Sequence, residues 1–134
     1  MKASEIQKTY QGLMGIKVKR VPIKMSFVLS RNLKKMEEVV QDIDSKRNDL
    51  LRVYGDKDDD GQLKVGDNGE ITVPAKDVPK FMADVSEMLN ADIEITLDKV
   101  SMADIEKCDQ DGYDNLTVEE VSALECMLDE GDAV

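Results

Sequence analysis

The chain has 134 residues, a net charge of −11 and no histidine. Its length suits a single domain, 1–134, with a modest core. The lack of histidine removes the most common general base and the commonest protein metal ligand. Cys108 and Cys126 form no CxxC pair, so reduced thiols are expected rather than a zinc or redox site. We expect no signal peptide, because the N-terminal residues include Glu5 and no apolar segment. We expect no membrane contact, because no apolar run approaches the length of a membrane span.

The charges are separated along the sequence. Residues 1–36 hold nine basic residues and one acidic residue, a net charge of +8, whereas residues 37–134 hold nine basic and 28 acidic residues, a net charge of −19. The two zones could neutralise each other within the fold. Alternatively, one zone could face an oppositely charged partner, including a second copy arranged head to tail. Lys17, Lys19 and Arg20 are the candidate contact residues in the basic zone.

Residues 1–21 are predicted to form a basic N-terminal arm with one short helix. Ser4 and Gln7 have the spacing of a capping box, which predicts a helix over about residues 4–14. Gly12 and Gly15 are expected to weaken the end of this helix. Residues 16–21 alternate apolar and basic side chains, a pattern typical of an extended connector or an edge strand.

Residues 22–55 predict one long amphipathic helix, with Pro22 in its first turn and Gly55 as a left-handed cap. Apolar residues recur at gaps of four and three if one polar residue is allowed in the series. The candidate interaction residues of this stripe are Leu29, Leu33, Met36, Val40, Ile43 and Arg47. Such a helix would be about 50 Å long, longer than a small domain is wide. We therefore expect residues 78–89 and 118–128 to cover the stripe, or a second protein to cover part of it.

The acidic portion, 56–134, predicts short elements in the order hairpin, helix, strand and helix. The pattern gives a hairpin over 63–73 around Asn68-Gly69, a helix over 78–89, a strand over 93–97, a helical turn after Ser101 and a helix over 118–129. Thr117 and Glu120 form a second capping-box pattern. Residues from Gly131 onward are expected to be a frayed acidic tail. The predicted fold class is α+β: one long amphipathic helix packed by two or three shorter helices, with a small two- to three-stranded antiparallel or mixed sheet.

One loop has the spacing of a calcium site. Acidic residues at positions 1, 3, 5 and 12 and a glycine at position 6 of the segment Asp56–Asp67 match a helix-loop-helix calcium loop. Asp67 in place of glutamate, Lys64 at position 9 and the turn after Gly66 depart from that pattern. The main expectation is therefore no metal and no cofactor. Calcium binding through this loop is kept as an alternative.

Catalysis and nucleic-acid binding are not expected. The acidic residues fall in caps, turns and outer helix faces, where nothing separates the pKa values of a carboxylate pair. The basic zone could neutralise phosphates, but the acidic remainder of the chain repels them and aromatic residues for base stacking are scarce.

Several short segments carry a resemblance to a known group of proteins. They are Leu50–Gly55, Asp60-Gly61, Phe81, the Met88-Leu89 to Ile93–Ile95 transition and Leu116–Val121. Across about residues 20–130 the chain resembles small uncharacterised proteins encoded by tailed bacteriophages and prophages of Gram-positive bacteria. The resemblance implies a phage product located in the host cytoplasm or incorporated in the virion, and it implies no functional residues.

The expected function is non-enzymatic and works through contacts with a viral or host protein or through self-association. The protein would be either a virion or assembly component or an effector directed at a host protein. The alternatives are an acidic inhibitor of a host nucleic-acid-processing or defence system and a calcium-binding module.

Overall fold

A computed structural model describes residues 1–129, which are organised around one long helix. Its helices are α1 (Ala3–Lys17), α2 (Ile23–Tyr54), α3 (Val78–Leu89), α4 (Met102–Lys107) and α5 (Val118–Leu124), followed by a 3-10 turn over Glu125–Met127. The first half of α2 packs against α1, and the second half packs against α3. No helix in this part of the chain is both long enough and apolar enough to cross a membrane. The acidic tail predicted from Gly131 lies outside the described residues.

The predicted α+β class is wrong, because residues 1–129 form a helical protein without a sheet. Within residues 1–129, β pairing is limited to three isolated bridges, which join Lys2 to Asp92, Lys57 to Leu63 and Val100 to Leu128. The segment 93–97 has no regular secondary structure, but exposure alternates along it as in a strand, and its apolar side chains pack against the core. Its backbone is bonded to the chain terminus and to α2 instead of a neighbouring strand. Alternation therefore identified a half-buried segment, but it could not supply the missing partner strand.

The predicted hairpin forms its turn but not its ladder. The Gly69 N–H donates to the Gly66 carbonyl at 2.9 Å, with Gly69 at φ +76°. Beyond this turn, Asp56 lies between the two arms: its N–H donates to Thr72 and its carbonyl accepts from Lys64. The Gly66 N–H donates to the Glu70 carbonyl at 2.8 Å beside the turn, but beyond this bond the arms pair with the segment after α2 rather than with each other.

The long helix α2 matches the prediction closely, starting after Pro22 and ending before Gly55. The left-handed cap is wrong, because Gly55 has φ −63° and ψ 151°, an extended conformation. A glycine is needed there for space: a Cβ on Gly55 would lie 2.4 Å from the Leu51 carbonyl oxygen. The chain turns tightly against its own last helical turn at this point.

Helix α1 differs from the prediction at both ends. The Ser4–Gln7 capping box is wrong, since Lys2 is the N-cap without a side-chain bond and the Ala3 N–H donates to Ala91. The helix also continues to Lys17, so the connector predicted from residue 16 begins later. Gly12 lies inside the helix and does not end it. A glycine is needed there for space, because a Cβ on Gly12 would lie only 2.6 Å from the Ala123 Cβ. This glycine lets α5 approach α1 closely.

Two short helices begin as predicted. In α5 the Glu120 N–H donates to Thr117 Oγ1 at 3.1 Å, and the Thr117 N–H donates to Glu120 Oε1 at 2.9 Å. In α4 the Asp104 N–H donates to Ser101 Oγ at 3.2 Å. The predicted final helix over 118–129 is too long, because α5 ends at Leu124 and a 3-10 turn follows.

The main core lies at the N-terminal half of α2. Its buried residues come from α1, α2 and the segment 100–127: Ile6, Leu13, Ile16, Met25, Leu29, Met36, Val100, Cys108, Ala123, Leu124 and Met127. Helix α1 is therefore the principal cover of the α2 stripe, a role the sequence assigned to 78–89 and 118–128.

A buried amide ties the segment 93–98 to α2. Asn32 is fully buried, its Nδ2 donates to the Asp98 carbonyl at 3.0 Å, and its Oδ1 accepts from the Asp98 N–H at 2.8 Å. The Asp98 carboxylate in turn contacts Arg31 and Lys35. The hydrogen bond and charge of Arg31, with those of Lys35, hold the pKa of Asp98 below its usual value despite partial desolvation.

Candidate functional site

The basic and acidic zones are joined by ion pairs within the fold. Lys19 pairs with Glu120, and both Arg31 and Lys35 pair with Asp98. Each pair connects the first 36 residues to the acidic remainder. Part of the charge separation in the sequence is therefore neutralised inside the molecule.

The Lys19–Glu120 pair is the most protected of these contacts. Lys19 Nζ lies 2.5 Å from Glu120 Oε1 and 2.9 Å from the Asn115 carbonyl oxygen. Burial raises the pKa of Glu120, but the bonds from Lys19 and from the Thr117 N–H outweigh it, so the pKa lies below its usual value. The pair joins the end of α1 to the start of α5.

The predicted interaction residues lie in different environments. In the α2 stripe Leu29 and Met36 are core residues, whereas Leu33 and Val40 are half-buried and Arg47 is exposed. Only Ile43 of this set lines the groove described next, where it is 5% exposed.

The three basic candidates divide in the same way. Lys17 is exposed beside a cavity between α1 and α2, and Lys19 is paired internally. The backbone of Arg20 exchanges bonds with Asp114: the Arg20 N–H donates to the Asp114 carboxylate, and the Asp114 N–H donates to the Arg20 carbonyl. The role of all nine residues in partner binding stays a prediction.

A groove of about 570 Å³ runs between the second half of α2, α3 and the segment after α3. We call it the distal groove. Its apolar lining residues are Ala3, Val39, Ile43, Leu50, Val53, Met88, Ala91 and Ile93. Val53 is 63% exposed, and no residue of α3 is fully buried. Side chains therefore fill the space between α2 and α3 only in part, and some of the apolar surface there is accessible to a ligand.

Acidic side chains surround this apolar surface. Asp42 and Asp49 stand on the α2 side and Asp84 and Glu87 on the α3 side, with Lys46 as the one basic residue among the lining residues. Four carboxylates against one ammonium group give the rim a negative potential, which attracts a cationic ligand. The groove thus combines an apolar surface with an acidic border.

The α3 side of the groove is held by an aromatic contact and a hydrogen bond. Tyr54 donates its hydroxyl to Asp84 Oδ2 at 2.6 Å, and its ring meets Phe81 edge-on with centroids 6.2 Å apart. The hydrogen bond to Asp84 is the main cause that raises the pKa of Tyr54. This contact fixes Asp84 relative to the C-terminal end of α2.

Sequence reasoning missed most of the groove. Val39 and Val53 lie outside the single stripe, so the four-and-three spacing passed over them. Leu50 belongs to the four-and-three series, and Val39 and Val53 lie 11 residues before it and three residues after it on the adjoining side of the helix. This row was the available signal. The position of the acidic rim depended on how α3 docks, which the sequence does not specify.

The calcium-like loop is organised by its own hydrogen bonds. Asp58 Oδ1 accepts from the Asp60 and Gln62 N–H groups, each at 2.9 Å. Lys64 Nζ lies 3.8 Å from Asp56 Oδ2. Within residues 1–129 no group of three or more Asp, Glu, Cys or His side chains could hold a metal ion. We therefore propose no metal site in this loop.

Comparison of the chain with known protein families, curated proteins and solved structures found no match.

Proposed function

We propose that the protein is a non-enzymatic binding module whose distal groove takes the apolar face of a basic helix from another protein. The observation that supports this most strongly is the accessible apolar lining bordered by Asp42, Asp49, Asp84 and Glu87. A helix presenting apolar residues at spacings of three and four would fill the lining, and its flanking Lys or Arg side chains would reach the carboxylates.

The division of the molecule supports the same proposal. The core beside α1 supplies most of the burial and is closed by its own ion pairs and by Asn32. The groove lies on the other half of α2, so a ligand can bind there without opening the main core. Binding and folding therefore use separate parts of one helix.

From the resemblance to phage proteins, we propose that this activity operates in an infected bacterial cell. A structural partner would make the protein a virion or assembly component, and a host partner would make it an effector. In the second case a basic helix is the kind of element that nucleic-acid-binding proteins present, which agrees with the alternative of an acidic inhibitor. Counting copies in purified particles by mass spectrometry separates these two roles.

A pair of synthetic amphipathic helices of about 14 residues tests the proposal. One carries leucine with lysine and the other carries leucine with glutamate at the same positions. Fluorescence anisotropy should show that the lysine peptide binds the protein, that raising NaCl from about 0.1 to about 1 M weakens binding, and that the glutamate peptide does not bind.

Matched charge variants locate the site. Asp42→Lys with Asp49→Lys should weaken lysine-peptide binding at least about tenfold, because it reverses two rim charges. Asp44→Lys with Asp59→Lys changes the net charge equally at exposed positions outside the groove and should retain most of the affinity. Equal losses in both double variants would show general electrostatic attraction and would overturn the proposal.

A further inference from the structure

A second exposed apolar surface lies at the other end of α2. Ile23 is 73% exposed and Phe27 is 60% exposed, although both are large apolar residues. Met25 faces the core, and at about 100° per residue Phe27 lies roughly 200° away from it around the helix. These two side chains therefore point away from the molecule's own core.

Basic residues surround these two side chains. Lys24, Arg31 and Lys34 lie three before, four after and seven after Phe27, spacings that bring them to neighbouring positions on the helix surface. Arg31 is already paired with Asp98, so the positive potential of this surface comes mainly from Lys24 and Lys34. Helix α2 has no acidic residue before Glu37. We call Ile23 and Phe27 with these three basic residues the outer patch.

The outer patch has the chemistry that the distal groove requires. It is a helix face with apolar residues four apart and cationic neighbours, and the groove is apolar with an acidic border. Phe27 and Leu50 are 23 residues apart on one unbroken helix, which is about 35 Å at about 1.5 Å per residue. The patch therefore cannot reach the groove of its own chain.

From this complementarity we propose that the occupant of the distal groove is the outer patch of a second copy of the same chain. The inference rests on the proposed function and names its partner. Phe27 of one copy enters the apolar lining, and Lys24 and Lys34 of that copy face the carboxylates of the other.

The two surfaces are different, so the contact is heterologous. A copy that uses its groove still has its outer patch free, so further copies can add. The copies form a closed ring if the rotation between neighbouring copies allows closure, and an open chain if it does not. This property suits an assembly component better than a single-target effector.

Sedimentation velocity of the full chain at several concentrations tests the inference. The wild type should form dimers and larger species at low salt and dissociate at about 1 M NaCl. Phe27→Glu removes the apolar contact of the patch, and Asp42→Lys with Asp49→Lys reverses the rim of the groove. Each variant alone should be monomeric, and circular dichroism should show that each remains helical, because the changed side chains are exposed.

Mixing the two variants gives the sharpest result. The Phe27→Glu chain keeps an intact groove, and the rim variant keeps an intact outer patch, so the mixture should form a one-to-one dimer and nothing larger. A mixture that stays monomeric while the wild type associates would overturn the inference, as would a wild type that stays monomeric at all concentrations.

The peptide experiment separates this inference from the function it rests on. If the lysine peptide binds the groove but the wild type never self-associates, the groove binds a different protein and only this inference fails. If neither occurs, both fail. If both are right, the lysine peptide should dissociate the wild-type oligomers and the glutamate peptide should leave them intact.

Discussion

The two halves of α2 lie in different surroundings. Around its N-terminal half, α1, the segment 100–127 and Asn32 enclose a fully buried core. Around its C-terminal half, α3 contributes no fully buried residue, and Ile43 is the last buried residue of the helix. One continuous helix therefore has a closed half that maintains the fold and an open half with apolar surface available for binding.

The largest expected difference between the halves is in leucine truncation. Leu124→Ala removes a side chain that is fully buried in the closed half, and we expect a loss of about 2–5 kcal/mol in the free energy of unfolding. Leu50→Ala in the open half removes a half-buried side chain and should cost about 1 kcal/mol. Urea denaturation measures both changes, and equal losses would show that the two halves are equally well packed.

Asn32 provides the second test of the closed half. Asn32→Ala should lower the free energy of unfolding by about 2–4 kcal/mol, because a fully buried side chain is removed and the partly buried N–H and carbonyl of Asp98 lose their partner. Asn48→Ala on the exposed surface of the same helix is the control and should change stability by less than about 0.5 kcal/mol. A loss at Asn32 no larger than the loss at Asn48 would contradict the role assigned to this amide.

Gly12 tests how tightly the closed half is packed. Gly12→Ala should lower stability by about 1–2 kcal/mol despite the better helix propensity of alanine, because its Cβ would meet the Ala123 Cβ at 2.6 Å. Adding Ala123→Gly should restore part of the loss by removing the opposing methyl group. Thermal melting of both variants checks this, and a stabilised Gly12→Ala would mean that α1 and α5 can separate easily.

The smallest expected effect is a pH dependence from Glu120. Because its pKa is below the usual value of 4.5 when folded, the unfolded chain binds more protons in the interval between the two pKa values. Its stabilising contribution is therefore complete above about pH 4.5 and is lost as the pH falls through the folded pKa. Glu120→Gln should reduce the acid-induced loss of stability, whereas Glu119→Gln at a neighbouring exposed position should not. Identical acid denaturation profiles for the three proteins would rule out this contribution.

The sequence predicted most of what depends on local chemistry, although the Ser4–Gln7 capping box and the left-handed cap at Gly55 were wrong, and it missed what depends on docking. The limits of α2 and the Thr117–Glu120 capping box follow from residues within one or two turns, and both were predicted closely. The sheet was wrong because alternation over 93–97 shows only that one face is buried. Whether strands or helix side chains satisfy the backbone of residues 93–98 depends on distant residues such as Asn32, which bonds to the Asp98 backbone and which a polarity pattern interprets as a surface position.

The candidate site shows the same limit. Ile43 was identified because it belongs to the stripe, and Val53 was missed because it does not. Gly12 and Gly15 were expected to weaken the end of α1. Their actual role is to leave space for α5, and it can be recognised only when α5 is known to cross α1 at that point. Patterns along one helix cannot show which of its faces remains uncovered after the other helices dock.

The most direct test of the central claim is chemical-shift mapping of the isotopically labelled protein during titration with the lysine peptide. The perturbed amides should cluster in 39–53 and 84–93 and at Ala3, which also lines the groove, with little change in the rest of α1 and in α5. Perturbations centred on α1 and α5, or spread evenly over the acidic surface, would contradict the claim that the open half of α2 is a binding groove.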